Sequence, residues 1–72
     1  MQNVGRSTLT RRLDIVDLVR KDGEARVEEL SARLRVSSVT IRSDLNYLEQ
    51  QGYVVRAFGK ARYNPALQNS AP

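Results

Sequence analysis

The sequence predicts a small α+β domain: three helices followed by a short antiparallel β ribbon. Three observations predict it. Apolar residues recur at helical spacing in three stretches, ending near Gly23, Leu34 and Gly52. Only Arg35, Val36 and Ser37 separate the second stretch from the third. Past Gly52, "YVVRAF" is β-branched and aromatic, and Pro65 stops any return strand soon after.

The first helix begins near Ser7 or Thr8, either of which can cap it. Leu9, Leu13, Ile15, Val16, Leu18 and Val19 give it a broad apolar face, with Asp14, Asp17 and Lys21 opposite. Gly23 in "KDG" suits the left-handed residue that ends a helix. Arg11 and Arg12 lie in the first turns, where the helix dipole disfavours cations. They are read either as phosphate ligands or as solubilising surface arginines.

"EARV" is short, but can pair with a later strand. "VEELSARL" reads as a second helix, with Glu28 and Glu29 favourable in its first turn and Leu30 and Leu34 facing inward. Ser31 is small enough to let another helix approach. A three-residue connection forces a sharp crossing, and two helices so joined form a helix-turn-helix.

The third helix is expected over about residues 38–51, capped by Ser37 and stopped by Gly52. With Ile41 as origin and about 100° per residue, Leu45 and Leu48 fall within about 40° and make the buried stripe. Val39, Ser43, Asn46 and Gln50 lie opposite, flanked by Arg42, Tyr47 and Thr40. This outer face carries no Lys or Glu before Glu49. Its inventory suits a major groove. An arginine fork can bond guanine, an apolar branch can meet a thymine methyl, and small residues let the backbone come close. The plain alternative is a well-capped surface helix.

"YVVRAF", a turn at "GKA" and a return through "RYN" complete a two-stranded ribbon with Arg56, Lys60 and Arg62 on or near its tip. This is a wing, and the whole is a winged helix-turn-helix. The expected organisation is a flexible N-terminus over 1–7, the domain over 8–63 and a linker or disordered tail over 64–72.

Composition narrows the function. The chain has 72 residues, enough to bury roughly 60% of its unfolded surface in one small core. His and Cys are absent, which removes the commonest general base, thiolate chemistry and the usual zinc ligands. The four glycines are isolated, so no phosphate-cradling loop exists. An enzyme is not expected, nor a cofactor or metal. No apolar run reaches the roughly 20 residues needed to span a bilayer, and the chain reads as cytoplasmic. Net charge is +4, and all eight acids lie at or before Glu49, leaving a purely basic end. Such an end suits a polyanion or forms a solvated tail.

The segment "RVEELSARLRVSSVTIRSDLNYLEQQGYVVRAFGKA" resembles the N-terminal DNA-binding domain of DeoR-family bacterial transcription regulators. The pattern is matched by Val27, Glu29, Leu30, Val36, Ser37, Thr40, Ile41, Arg42, Asp44, Leu45, Leu48, Glu49, Gly52, Arg56 and Gly59. It covers roughly residues 11 to 62. The resemblance implies a domain that binds operator DNA within a repressor of sugar or nucleoside metabolism genes. It also implies a larger C-terminal domain, absent here, that senses a phosphorylated sugar and oligomerises; the linker-like end leads one to expect a piece of a longer protein. Three positions depart from the pattern. Ser31 stands for a frequent Ala, Arg35 for a frequent Gly in the turn, and Gly59-Lys60 for paired glycines in the wing.

The leading expectation is therefore sequence-specific binding of double-stranded DNA, with the third helix in the major groove and the wing on the backbone or minor groove. Val39, Arg42 and Ser43 are the candidates for base edges, although Arg42 suits a phosphate equally. Ser38, Thr40, Asn46, Tyr47, Arg56, Lys60 and Arg62 are the candidates for the DNA backbone. Asp44 would repel phosphate, and is expected to pair with a nearby arginine such as Arg56, joining helix and wing. The isolated domain is expected to be monomeric. The alternative from another class is a winged-helix module for protein interaction, docking through Val39 and Tyr47.

Overall fold

The computed structural model describes residues 7–68 of the chain. The elements run α1 (Thr8–Asp22), β1 (Glu24–Arg26), α2 (Val27–Leu34), α3 (Ser38–Gln50), β2 (Val54–Ala57), β3 (Lys60–Tyr63) and α4 (Pro65–Gln68). The expected flexibility of the first residues falls, apart from Ser7, outside the described part. So does the end of the tail.

Caps set the helix limits. Ser7 accepts the Thr10 N–H at 3.1 Å and starts α1, which ends at left-handed Gly23. Ser37 does the same for α3 through the Thr40 N–H, also at 3.1 Å. At the far end of α3, Gly52 has φ 86°, its N–H bonds to the Glu49 carbonyl and the Tyr53 N–H reaches back to Leu48. That paired reach-back requires a left-handed residue, which glycine supplies without a Cβ clash. Arg35 takes the same conformation at the end of α2, with φ 59° and ψ 46°. Among the described residues it is the one non-glycine with positive φ, a cost of about 1 kcal/mol.

The core is assembled from Ile15 and Val19 of α1, Val27 and Leu30 of α2, and Ile41, Leu45 and Leu48 of α3. Ala25, Val54 and Ala61 of the sheet close it. Leu34 packs at its edge, half-buried. The broad apolar face expected of α1 narrows: Leu9 and Leu13 are 67% and 60% exposed. Their angular position explains this. Relative to Ile15, Leu9 and Leu13 stand at about 120° and 160°, whereas Arg11 and Arg12 stand at about −40° and 60°, on the buried stripe itself.

The wing is a three-stranded antiparallel sheet, order β1-β3-β2, where two strands were expected. "EARV" supplies the third: Glu24, Ala25 and Arg26 pair with Arg62, Ala61 and Lys60. The reason is Gly23, which turns the chain out of α1 directly alongside β3. Its carbonyl accepts the Tyr63 N–H at 2.9 Å, and the Val27 N–H donates to the Gly59 carbonyl at 2.9 Å. The turn falls on Phe58 and Gly59 rather than on "GKA", since Ala57 already pairs with Lys60. Gly59 has φ 63° and Phe58 is not positive, the order of a type II turn.

The tail differs from a plain linker at its start. Pro65–Gln68 forms one helical turn, led by Asn64, whose Oδ1 accepts the Ala66 N–H at 3.0 Å. The Asn64 amide also donates to the Gly52 carbonyl at 2.6 Å, tying the chain's exit to the end of α3.

Candidate nucleic-acid interface

The outward face of α3 is defined by what its inward face buries. Ile41, Asp44, Leu45 and Leu48 are all at most 3% exposed. The tight connection is fixed as well, because the Ser31 hydroxyl donates to the Val36 carbonyl at 2.5 Å. A helix held on that side must present its opposite side to solvent. Val39 is accordingly 71% exposed, and Arg42, Ser43, Asn46 and Tyr47 are exposed along the same helix. Ser38 and Thr40, in the first turn, are half-buried, and the Thr40 hydroxyl lies 3.0 Å from that of Ser37. The first turn also carries the positive end of the helix dipole, which favours an anion.

Asp44 departs from expectation. It pairs not with Arg56 but with Arg11 and Arg12 of α1. Arg11 donates through Nε to one carboxylate oxygen and through Nη2 to the other, the latter at 2.9 Å. Arg12 Nε adds a bond of 2.9 Å. Asp44 is 1% exposed, and the two arginines close over it. Burial pushes the Asp44 carboxyl up, but the hydrogen bonds and charges of Arg11 and Arg12 outweigh burial and hold it below its ordinary value. The same bond to Asp44 raises Arg11 above its own ordinary value. The dipole cost of two arginines in the first turns of α1 is offset here, by a carboxylate of the protein itself.

Arg12 also stacks over the Tyr47 ring, 4.1 Å from its centre. Helix and wing are joined instead by Arg56, which donates to Asn46 Oδ1 at 2.6 Å. Arg56 pairs with Ala61 across the strands, so its side chain shares the inner face of the sheet with that buried alanine. Its Nε is buried with no acceptor among the described residues. Lys60 and Arg62 point to the other face by strand alternation. Lys60 meets Glu24 at 3.0 Å, with about a third of its side chain exposed. Arg62 pairs in register with Glu24 and Val55, near Tyr63 and Pro65, away from α3.

Although the Lys60 side chain leans to the other face, Lys60 and Arg42 both line one cleft of about 440 Å³ near the wing tip, together with Arg26, Val27, Glu28, Phe58 and Gly59. Arg42 has no side-chain partner among the described residues. Phe58 was not singled out from the sequence, where it reads as the end of a strand; it is 104% exposed, at the tip of the turn. A large aromatic beside a glycine just after a strand was the signal available.

No helix of the described residues is long and apolar enough to cross a membrane. The DeoR-like helix-turn-helix domain model matches residues 11–66. A protein of Escherichia coli O157:H7, provisionally named aga operon transcriptional repressor, is 50% identical over 54 residues, which are 75% of this chain and 20% of that protein. The L-fucose operon activator of Escherichia coli K12 is 47% identical over 68% of this chain and 20% of its own length. The lactose phosphotransferase system repressor of Streptococcus mutans is 44% identical over 76% and 22% respectively. The chain therefore spans about a fifth of the length of these curated relatives. With a family model matching most of its length, the chain belongs to the DeoR-like helix-turn-helix family.

Proposed function

We propose that this domain reads operator DNA by laying the N-terminal half of α3 in the major groove, with the wing on the adjacent backbone and minor groove. One observation carries the assignment. Of the arginines that meet α3, those on its inner side are consumed by Asp44 and Arg56 is turned onto Asn46. Arg42 is held out with its fork free among the described residues. Arg42, Val39 and Ser43 then meet base edges. Ser38, Thr40, Tyr47, Lys60 and Arg62 are assigned to the DNA backbone, while Arg56 and Asn46 act first by fixing the wing against α3. In the intact protein the domain serves a regulator of a sugar-utilisation operon, a reading supported by the names of its relatives. A phosphorylated sugar would be sensed, and subunits joined, by chain outside this domain; alone, the domain is monomeric.

The test is fluorescence anisotropy of a mixed-sequence duplex of about 20 base pairs, titrated with the chain at about 50 and about 200 mM salt. The two cations assigned to the backbone, Lys60 and Arg62, would together weaken binding about tenfold between those salts. Selection from a random duplex library then yields the operator. Absence of binding at the lower salt overturns the proposal.

A further inference from the structure

We propose that Phe58 is an apolar wedge with which the wing enters the minor groove, partly unstacking a base step there. The inference rests on the DNA-binding reading above and assigns a contact that this reading does not contain.

A single exposed apolar side chain is ordinary on a protein surface. Phe58 is distinguished by its position and support. Its ring is fully exposed, at 104%, and its neighbours are Ala57 and Gly59, so nothing beside it shields the ring or blocks a close approach. The tip that carries it is braced. β3 is the central strand, paired on both sides at Lys60, with Arg26 across one ladder and Ala57 across the other. The Gly59 carbonyl is held by the Val27 N–H, at the start of α2. A backbone this constrained loses little conformational freedom on contact, and the phenyl side chain has only two torsions to fix, which favours binding.

Phe58 borders the cleft that Arg42 and Lys60 also line. When α3 occupies the major groove, the wing tip faces the neighbouring minor groove. That groove is only about 6 Å wide, and two strands alone are about 4.8 Å apart before their side chains are added. The strands therefore ride on the sugar-phosphate rails, and only a thin planar group can go deeper. Phe58 is that group. Apolar wedges of this kind unstack base steps in the minor groove and kink the duplex. The cleft favours a polyanion as the partner: Arg26, Arg42 and Lys60 line it with one carboxylate, Glu28, and its apolar lining besides Phe58 is the buried Val27. The wedge adds a preference for flexible pyrimidine–purine steps beneath the wing, where no base edge is read.

The chain has no tryptophan, so Phe58→Trp places a single reporter at the tip. With the mixed-sequence duplex, Phe58→Trp is expected to bind as the parent does, with its emission strongly quenched by stacking and its quenching by acrylamide suppressed. Phe58→Ala is expected to weaken binding about tenfold, as loss of one stacked ring does, with the salt slope unchanged because no charge is lost. Phe58→Leu, also a wedge, should recover part of the loss. Binding of Phe58→Trp with unaltered emission and acrylamide access overturns the proposal, as does parental affinity in Phe58→Ala. Failure of the parent chain to bind the duplex overturns the DNA reading and this inference together. It is seen before any variant is made. Phe58 touches no core residue, and circular dichroism of each variant serves as the folding control.

Discussion

On the inner side of α3, Arg11 and Arg12 converge on a carboxylate that is 1% exposed; on the outer side, Arg42 ends in an open cleft without a protein acceptor among the described residues. The residue type is the same, and so is the helix they serve. The difference lies in where the negative charge comes from. Inside, the protein provides it, and the arginines hold α1 against α3. Outside, no carboxylate of the described residues supplies it, and the proposed function assigns it to DNA. An arginine is thus read for function by its partner, and its spacing along the chain does not reveal that partner.

The comparison is broken most severely at Asp44. Replacing Asp44 by Ala leaves two guanidinium groups facing each other at the α1–α3 contact. Removing one member of a buried charged set costs about 3–5 kcal/mol. Arg11 and Arg12 can swing partly into water, so a loss near the lower limit is expected, about 3 kcal/mol in urea denaturation. Asp44→Asn keeps the shape and removes the charge, and should lose nearly as much. A loss under about 0.5 kcal/mol would place this pair among ordinary surface salt bridges and dissolve the contrast.

The same carboxylate predicts an acid transition. The folded state holds Asp44 below its ordinary value, so the unfolded chain takes up the proton first as pH falls. The stability it contributes is complete above the unfolded value, about 3.9, and is lost as pH drops through the lower folded value. Urea midpoints measured from about pH 6 down to about pH 2 should fall steeply in the parent chain. In Asp44→Asn the part of the slope due to this group should vanish. Parallel curves for the two chains would assign the acid loss to other carboxylates.

The outer arginine should behave in the opposite way. Arg42→Ala should leave the urea midpoint unchanged within about 0.5 kcal/mol, the range of a surface substitution. On the selected operator it should cost about 1–3 kcal/mol and relax preference at one base pair. Equal losses on operator and random duplex would mark Arg42 as a phosphate ligand, the other role its position permits.

What the chain reveals by itself divides along the same line. The stripe Ile41, Leu45 and Leu48, the Ser37 cap, and the stops at Gly23 and Gly52 were all legible, because each is encoded within one helical turn or one periodic face. Asp44's partners were not, since they lie 33 and 32 residues away. Periodicity within α3 says only that Asp44 sits beside the core stripe; which helix crosses there is a tertiary fact. Read alone, Arg11 and Arg12 looked misplaced against the helix dipole, and that misfit was the available hint of a carboxylate partner. Leu9 and Leu13 misled because a broad apolar face cannot state which part of it will be covered. Phe58 was absorbed into a strand by its β propensity; the sheet register then placed it on the turn.

Lys60 belongs to both classes at once, and it sharpens the comparison by the smallest effect. It has an internal partner, Glu24 at 3.0 Å, yet both side chains remain a third to a half exposed. Such a pair contributes little to stability, so neither partner's loss should move the urea midpoint by more than a few tenths of a kcal/mol. Binding should respond to both. Lys60→Ala removes one cation and should lower the salt slope by about 0.9 if Lys60 meets a phosphate. Glu24→Gln removes the competing carboxylate and should tighten duplex binding slightly, by a few tenths of a kcal/mol at low salt, an effect that fades as salt screens it. Tightening in Glu24→Gln that persists in the double variant with Lys60→Ala would mean that Glu24 acts through general charge and not through Lys60. Loss of the tightening in the double variant would assign it to the freed lysine, and would place Lys60 with Arg42 among the cations whose final partner is DNA.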